Sequence, residues 1–312
     1  MFIIFKNPKI NFVKLRFIAY AISSILVISG LVGIFQIITG KANMGIDLSG
    51  GSVVSVKFER EIPAETLRAM LTKNNMSDAS LQQIAEGPGE PSLKALIKIK
   101  SSVAPIGKLS DFMKDIINKS LPNEKFVIDR VEDVGPVVSG KLRQQAFWAI
   151  VFAFLGILIY IWFRFDFKFG VAAIVATAHD VLVLIGIIYL TNKEFSLLMV
   201  TALLTIAGYS LTDTVVVFDR IRENLKKNVK ETLPQIINIS VNEILNRTIM
   251  TSVTTIIVVV VFYIWGGEVV HDFSFALTVG IVVGTYSSWF VASPILLEWE
   301  TILTRKRVAK IR

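Results

Sequence analysis

Residues 196–218, SLLMVTALLTIAGYSLTDTVVVF, decide the fold, because these 23 residues contain Asp213 as their only acidic or basic side chain. About 20 consecutive apolar residues are needed to cross a bilayer as an α-helix. Five further apolar runs predict five further spans, at residues 17–39, 146–163, 171–190, 249–265 and 273–297. We therefore expect a polytopic α-helical membrane protein with six transmembrane helices.

The composition supports this class and excludes several others. Of 312 residues, 53% are hydrophobic and 19% are charged, whereas soluble domains carry about a quarter charged residues. The chain has no cysteine and two histidines, so disulfides and thiolate metal sites are excluded and a structural zinc or haem site is disfavoured. It also lacks the phosphate-binding Gly-x4-Gly-Lys-Ser/Thr motif. We expect no cofactor, no metal and no enzymatic activity.

The lysines and arginines of the short loops predict the orientation, because cytoplasmic loops carry an excess of basic residues. These residues concentrate in alternate loops, and Lys193 is the only one in the short loops of the opposite side. We expect both termini (1–16 and 298–312) in the cytoplasm. The run 17–39 is longer than the core of a signal peptide, which predicts a retained anchor. The net charge of +8 is then explained by cytoplasmic loops, and we expect no nucleic-acid partner.

The cytoplasmic segment 219–248 mixes apolar and basic residues. Such a pattern is typical of an amphipathic helix that lies on a membrane surface and is attracted to anionic lipid. We therefore expect this segment to rest on the bilayer. Its apolar positions are Ile221, Leu225, Leu233, Ile236, Ile237, Val241 and Ile244.

The long segment 40–145 predicts a small exported α+β domain. Strand patterns at 52–58, 81–86, 93–99 and 125–131 alternate with amphipathic helices at 63–74 and 106–119. The order β-α-β-β-α-β is that of ferredoxin-like folds. A turn is predicted at Gly87-Pro88-Gly89-Glu90-Pro91. The domain contains no catalytic cluster, so we expect it to bind or position another molecule.

Asp213 is the strongest candidate for a functional residue. A carboxylate within the hydrocarbon costs about 2.5–3.5 kcal/mol on insertion scales and usually has a functional role. Helical spacing places Tyr209 and Ser210 beside it. We expect a carboxyl group that binds and releases protons, and the alternative is a permanently protonated group that packs by hydrogen bonding.

Three further ionisable groups accompany Asp213. His179 and Asp180 lie in the third span, about 100° apart on the helix, so the spacing predicts that they do not face the same partner. Each is interpreted either as a proton carrier or as a hydrogen-bonding group between helices. Arg247 precedes the fifth span, and its position alone favours an anchor that reaches the interface over a counter-charge for a carboxylate.

Small and hydroxyl side chains around these groups are candidates for lining a hydrated path, with helix bridging as the alternative. These residues are Tyr209, Ser210, Thr212, Thr214, Thr285, Ser287 and Ser288.

Several strings resemble the SecD/SecF family of the resistance-nodulation-division superfamily, and in particular its SecF members. GIDLSGG at 45–51 resembles the signature that opens the exported domain, with Gly45, Asp47, Gly50 and Gly51 as its signature residues. GYSLTDTVVVFDRIREN at 208–224 is similar to the helix 4 signature, and AHD at 178–180 to the helix 3 motif. Arg247-Thr248 with Thr251-Ser252, and VGPVVSG at 134–140, resemble the starts of helices 5 and 2.

This resemblance implies a function in protein export. Family members of this type pair with SecD in the bacterial inner membrane, assist the SecYEG translocon and SecA, and use the proton gradient to move unfolded exported polypeptides outwards. The six helices would form one half of the membrane domain, in contact with membrane lipids. By the family motifs, Asp213 matches the carboxylate needed for proton flow and Arg247 matches its basic partner, whereas Asp180 and His179 match family positions of less defined role.

Two residues depart from the family pattern. Thr212 stands where asparagine is usual, and Lys141 stands where an acidic residue is usual. Two other functions remain open. One is a proton-coupled exporter of a small solute or lipid, although such pumps normally carry two halves and larger exported domains. The other is a passive scaffold for the translocon.

Overall fold

The computed structural model of the chain describes residues 8–77, 79–84, 91, 93–99, 108–228 and 230–311, with the side chains of 268, 269 and 303–311 left out. In chain order the elements are α1 (Phe12–Ile38), α2 (Ile46–Ser49), β1 (Gly51–Phe58), α3 (Ala64–Lys73), β2 (Ser80–Ile84), β3 (Lys94–Ile99), α4 (Leu109–Ser120), β4 (Phe126–Val134), α5 (Pro136–Arg164), α6 (Phe167–Leu190), α7 (Leu197–Lys227), α8 (Leu233–Trp265), α9 (Gly267–Ser287), a π-helical turn (Ser288–Ala292) and α10 (Ser293–Ile311).

Six helices are long and apolar enough to cross a membrane, which confirms the predicted fold class. They are α1, α5, α6, α7, α8 and the combined stretch Val270–Ile302, which contains the π-helical turn. Several extend beyond the predicted spans, since a helix continues through its polar ends. For example, α5 begins at Pro136, a favoured first-turn residue, rather than at residue 146.

The membrane helices form two classes by burial. The central helices α6, α7 and α9–α10 bury more than half of their most apolar stretch, whereas α1, α5 and α8 leave most of theirs exposed. Exposed side chains on the outer helices include Phe17, Ile25, Phe152, Trp162 and Ile257. Such apolar surface fits lipid or another membrane helix.

The domain between α1 and α5, called the outer domain below, has the predicted β-α-β-β-α-β order. Its four strands form one antiparallel sheet in the order β2-β3-β1-β4, and α3 and α4 contribute to a core that includes Val54, Leu67 and Met113. At the surface, a hydrogen bond from Arg60 holds the pKa of Glu124 below its usual range. The predicted turn at 87–91, apart from Pro91, and residues 106 and 107 of the predicted second helix lie outside the described residues.

The prediction of an amphipathic helix on the membrane surface at 219–248 was wrong. This segment is instead the end of α7 and the start of α8, which form a helical hairpin. Ile221, Ile236, Ile237 and Val241 are buried in a core that also contains residues of α1 and α6. The apolar face of the segment therefore packs against protein, and the hairpin is also joined by a 3.0 Å hydrogen bond from Asn224 Nδ2 to Ser240 Oγ.

The chain preceding α1 contacts this hairpin. Asn242 Oδ1 accepts a 3.0 Å hydrogen bond from the Ile10 backbone, and Asn238 Oδ1 accepts one of 3.1 Å from the Val13 backbone. Helix α1 begins at Phe12, whose buried ring packs near Phe290. The helix therefore starts five residues before the predicted span, because its first two residues are buried in protein.

Candidate functional site

Asp213 lies on α7 with its side chain only 9% exposed. Its Oδ2 atom accepts no hydrogen bond from any residue that the structure describes. The adjacent hydroxyl of Thr214 is also buried without a partner in the described chain. Leaving a buried carboxyl oxygen without a hydrogen bond is costly, which makes Asp213 the candidate group of this site.

Arg247 lies on α8, which packs beside α7. Its side chain is exposed, and its charge acts on Asp213 without a hydrogen bond to Oδ2. Position in the sequence alone favoured an interfacial anchor, and the role of Arg247 as a counter-charge for Asp213 stays a prediction.

His179 and Asp180 form a buried hydrogen-bonded pair on α6. Nδ1 of His179 lies 2.8 Å from Oδ1 of Asp180. The two side chains thus bond to each other, but their other partners differ, since His179 also contacts Ser23 of α1 whereas Asp180 contacts residues of α7 and α9. Asp180 is completely buried and also accepts hydrogen bonds at Oδ2 from Ser210 on α7 and from Ser287 on α9, the latter at 2.7 Å.

The same cluster reaches α1 through residues that the sequence analysis did not single out. Nε2 of His179 lies 2.9 Å from Oγ of Ser23, which in turn lies 3.3 Å from the hydroxyl of Tyr286. That hydroxyl donates to the Ala19 carbonyl at 3.1 Å. The only available signal for Ser23 was its hydroxyl within the apolar run of α1, which Ser24 and Ser29 share. The cluster joins α1, α6, α7 and α9.

Helical spacing had placed Ser210 beside Asp213, but in the structure its hydroxyl bonds Asp180. Tyr209 instead donates to Thr255 Oγ1 at 3.3 Å, and Thr212 is exposed and bonds the Gly208 carbonyl. Thr285 is 2.7 Å from Ser252 Oγ on α8. These contacts are bridges within and between helices, and the proposed role in lining a hydrated path stays a prediction.

Ser288 begins the π-helical turn that interrupts the last span. Its hydroxyl donates to the Thr285 carbonyl at 2.9 Å, and the Ser293 hydroxyl donates to the Ser288 carbonyl at 3.0 Å. π-helical turns within α-helices are frequent at functional sites. This one follows Ser287 directly, so the irregular backbone adjoins the Asp180 cluster.

Comparison with known proteins identifies the family. The sequence profile of the family described as protein export membrane protein SecD/SecF, C-terminal, matches residues 114–302. The chain belongs to the SecD/SecF family. It is 45% identical over 293 residues to the protein translocase subunit SecF of Thermodesulfovibrio yellowstonii, covering 93% of this chain and 95% of the relative. It is 42% identical to the SecF of Desulfurispirillum indicum, covering 97% and 96% respectively.

Solved SecDF structures resemble the chain as well. SecDF of Thermus thermophilus, described as a translocon-associated membrane protein, superposes with a TM-score of 0.83 at 34% identity over 96% of this chain. A SecDF structure in a super-membrane-facing form has a TM-score of 0.71 at 33% identity over 99% of this chain. The chain spans 40% and 41% of the length of these two proteins.

The SecD/SecF signature residues lie where the outer domain meets the membrane helices. Gly45 precedes α2 and Asp47 lies within it, whereas Gly50 and Gly51 lead into β1. Gly50 has φ +76°, and a Cβ there would lie 3.1 Å from Oγ of Ser139 on α5. Glycine thus permits both the backbone turn and the close approach of α5.

The two departures from the SecD/SecF pattern are both exposed. Thr212 lies on the outer face of α7 and Lys141 near the start of α5. Neither touches the Asp180 cluster. For metal binding, no group of three or more His, Asp or Glu side chains in the described part of the chain is placed to hold an ion.

Proposed function

We propose that this chain is the SecF-type subunit of a protein translocase, which acts with SecD to use the proton gradient to promote protein export. Membership of the SecD/SecF family and relatives named protein translocase subunit SecF support the export role. The single structural observation behind proton coupling is the buried Asp213 carboxyl group on a central membrane helix, one oxygen of which has no hydrogen-bond partner among the described residues.

The mechanism follows from the change of charge at Asp213. When the carboxyl group is ionised it attracts the Arg247 guanidinium, and when it is protonated this attraction disappears. Because the two residues lie on neighbouring helices, the difference in free energy acts on the packing of α7 against α8. Protons that enter from one side and leave to the other would therefore drive a cyclic movement of α7.

A SecD partner explains the exposed polar face of the bundle. Thr201, Thr205, Gly208 and Thr212 line the outside of α7 although this helix is otherwise central. Small and hydroxyl residues allow membrane helices to approach closely. The solved SecDF chains are about two and a half times as long as this one, which is consistent with a second half that covers this face.

The family and the charge pattern support a proposed location and further partners. The chain is a multi-pass membrane protein, and we place it in the bacterial inner membrane with both termini cytoplasmic and the outer domain periplasmic, in agreement with its basic loops. SecYEG, SecA and the unfolded exported polypeptide are the further partners proposed. The solute-exporter alternative has no support among relatives that are named translocase subunits.

The proposal is tested by Asp213→Asn, with Glu223→Gln as the control because Glu223 is an exposed carboxylate further along the same helix. Export of a reporter protein is measured with the proton gradient intact and collapsed, and assembly with SecD is measured by co-purification. We expect Asp213→Asn to assemble but to lose the gradient-dependent part of export, and Glu223→Gln to retain it. Full gradient-dependent export by Asp213→Asn would instead establish a scaffold.

A further inference from the structure

The outer domain is joined to the loop that precedes α7 by backbone pairing. The Phe195 N–H donates to the Asn43 carbonyl at 2.8 Å, and the Gly45 N–H donates to the Phe195 carbonyl at 3.0 Å. Met44 and Phe195 thus form a parallel bridge. In addition, Asn43 Nδ2 donates to the Asn192 carbonyl at 3.0 Å.

Asp47 adds a direct bond to α7 itself. Its Oδ1 accepts from the Leu48 N–H at 3.0 Å and its Oδ2 accepts from the Leu197 N–H at 2.5 Å, across 150 residues of sequence. Leu197 is the first residue of α7. The first N–H groups of a helix have no partner within the helix, and a carboxylate placed there is stabilised by the helix dipole.

The side chains around this contact reinforce it. Lys98 of β3 forms an ion pair with Glu194, so the sheet is tied to the same loop. A Cβ on Gly45 would lie 2.8 Å from Oε1 of Glu194 and would also press on the Asp47 carboxylate. Glycine at position 45 therefore leaves space for both acidic side chains.

We propose that Asp47 is a positioning residue that holds the outer domain on the N-terminus of α7, so that movement of α7 is transmitted to this domain. We name the contact of residues 43–47 with residues 192–197 the α7 joint. It stays closed throughout the cycle. This inference rests on the proposed function, because α7 also carries Asp213, about 24 Å further along the helix at 1.5 Å per residue.

The reason for a closed joint is geometric. The outer domain is covalently continuous with α1 and α5, but the helix that carries Asp213 is far from it in sequence. Without a rigid non-covalent contact, a shift of α7 would not reach the outer domain directly. Two backbone hydrogen bonds, the carboxylate bond and an ion pair together form such a contact.

The absence of native cysteine allows the joint to be locked by one engineered disulfide, Met44→Cys with Phe195→Cys. Neighbouring strands lie about 4.8 Å apart, which is within the Cα separation that a disulfide spans. Asp47→Ala opens the joint by removing the acceptor carboxylate. Leu197→Pro opens it independently, because proline has no N–H to donate to Asp47 and is tolerated at the first helical position. The control is Asp111→Ala, an exposed acid in the first turn of α4.

Gradient-dependent export is measured for the full chain assembled with SecD. We expect the oxidised double-cysteine protein to retain export, Asp47→Ala and Leu197→Pro each to lose most of it, and Asp111→Ala to retain it. Adding the disulfide to Asp47→Ala restores export when oxidised, and reduction removes this rescue.

Three results would overturn the inference. Export that stops on oxidation of the double-cysteine protein shows that the joint must open. Full export by both Asp47→Ala and Leu197→Pro shows that it is dispensable, and loss that the disulfide does not rescue assigns Asp47 another role. Asp213→Asn, measured in parallel, separates this from the proposed function: if that variant exports normally, the proton coupling is wrong whatever the joint variants do.

Discussion

Ser287 and Asp180 are joined across two central membrane helices, the Oγ of Ser287 donating a 2.7 Å hydrogen bond to Oδ2 of Asp180. Asp180 receives further bonds from Ser210 and lies against His179. Because Asp180 is the common partner of the three, it organises the contact between α6, α7 and α9. Its bonds therefore contribute to the stability of the bundle separately from the proposed proton chemistry at Asp213.

Asp180→Ala is expected to destabilise the chain more than Ser287→Ala. Removing the common acceptor takes the partner from the buried Ser210 hydroxyl and from Nδ1 of His179, at about 1–3 kcal/mol each, whereas removing one hydroxyl loses a hydrogen bond of about 1 kcal/mol. The measurement is thermal unfolding of the purified chain in detergent. Thr201→Ala is the control, since this exposed hydroxyl bonds the Leu197 carbonyl of its own helix. Equal thermal unfolding temperatures for Asp180→Ala and Ser287→Ala would contradict the role of Asp180 as the common partner.

Substitutions of Arg247 distinguish a counter-charge from an interfacial anchor. We expect Arg247→Gln to lose gradient-dependent export and Arg247→Lys to retain part of it, because lysine keeps the charge but not the planar guanidinium. Arg222→Gln, near the C-terminal end of α7, serves as the control. The readout is reporter export with and without the gradient. If Arg247→Gln exports as well as the parent chain, the residue is an anchor and not a partner of Asp213.

Glycine contacts between α1 and α6 should be sensitive to a single methyl group. A Cβ on Gly186 would lie 2.7 Å from the backbone nitrogen of Gly30, so Gly186→Ala forces the two helices apart. We expect a loss of stability of about 1–3 kcal/mol. In contrast, a Cβ on Gly156 of α5 meets no atom within 4 Å, and Gly156→Ala should be neutral or slightly stabilising. The two variants are compared by their thermal unfolding temperatures. Equal temperatures would contradict the close packing of α1 against α6 at Gly186.

Gly208 tests the surface proposed for SecD. It lies on the exposed stripe of α7, and a Cβ there would meet no atom within 4 Å. We expect Gly208→Leu to leave the isolated chain folded but to weaken assembly with SecD, because the larger side chain would separate the packed helices. Co-purification with tagged SecD measures this, and Gly156→Leu is the matched control on α5. Normal assembly of Gly208→Leu would place the SecD contact elsewhere.

Features that depend on neighbouring residues in the sequence were predictable. The six apolar runs and the β-α-β-β-α-β order are local patterns of hydropathy and periodicity, and they appear in the structure with shifts at their ends. The segment 219–248 was misplaced because an apolar face looks the same whether lipid or protein covers it. Only packing against α1 and α6 decided that it forms a hairpin.

The amino-acid sequence by itself determined that Asp213 lies within a membrane helix, since the flanking residues are apolar over the length of a bilayer. The tertiary structure alone decided which groups meet: Ser210 with Asp180 rather than Asp213, Ser23 with His179, and Asp47 with the start of α7. The physical reason is that these contacts join residues from 30 to 156 positions apart. Their formation depends on how helices rotate and cross in the folded bundle, which no local pattern specifies.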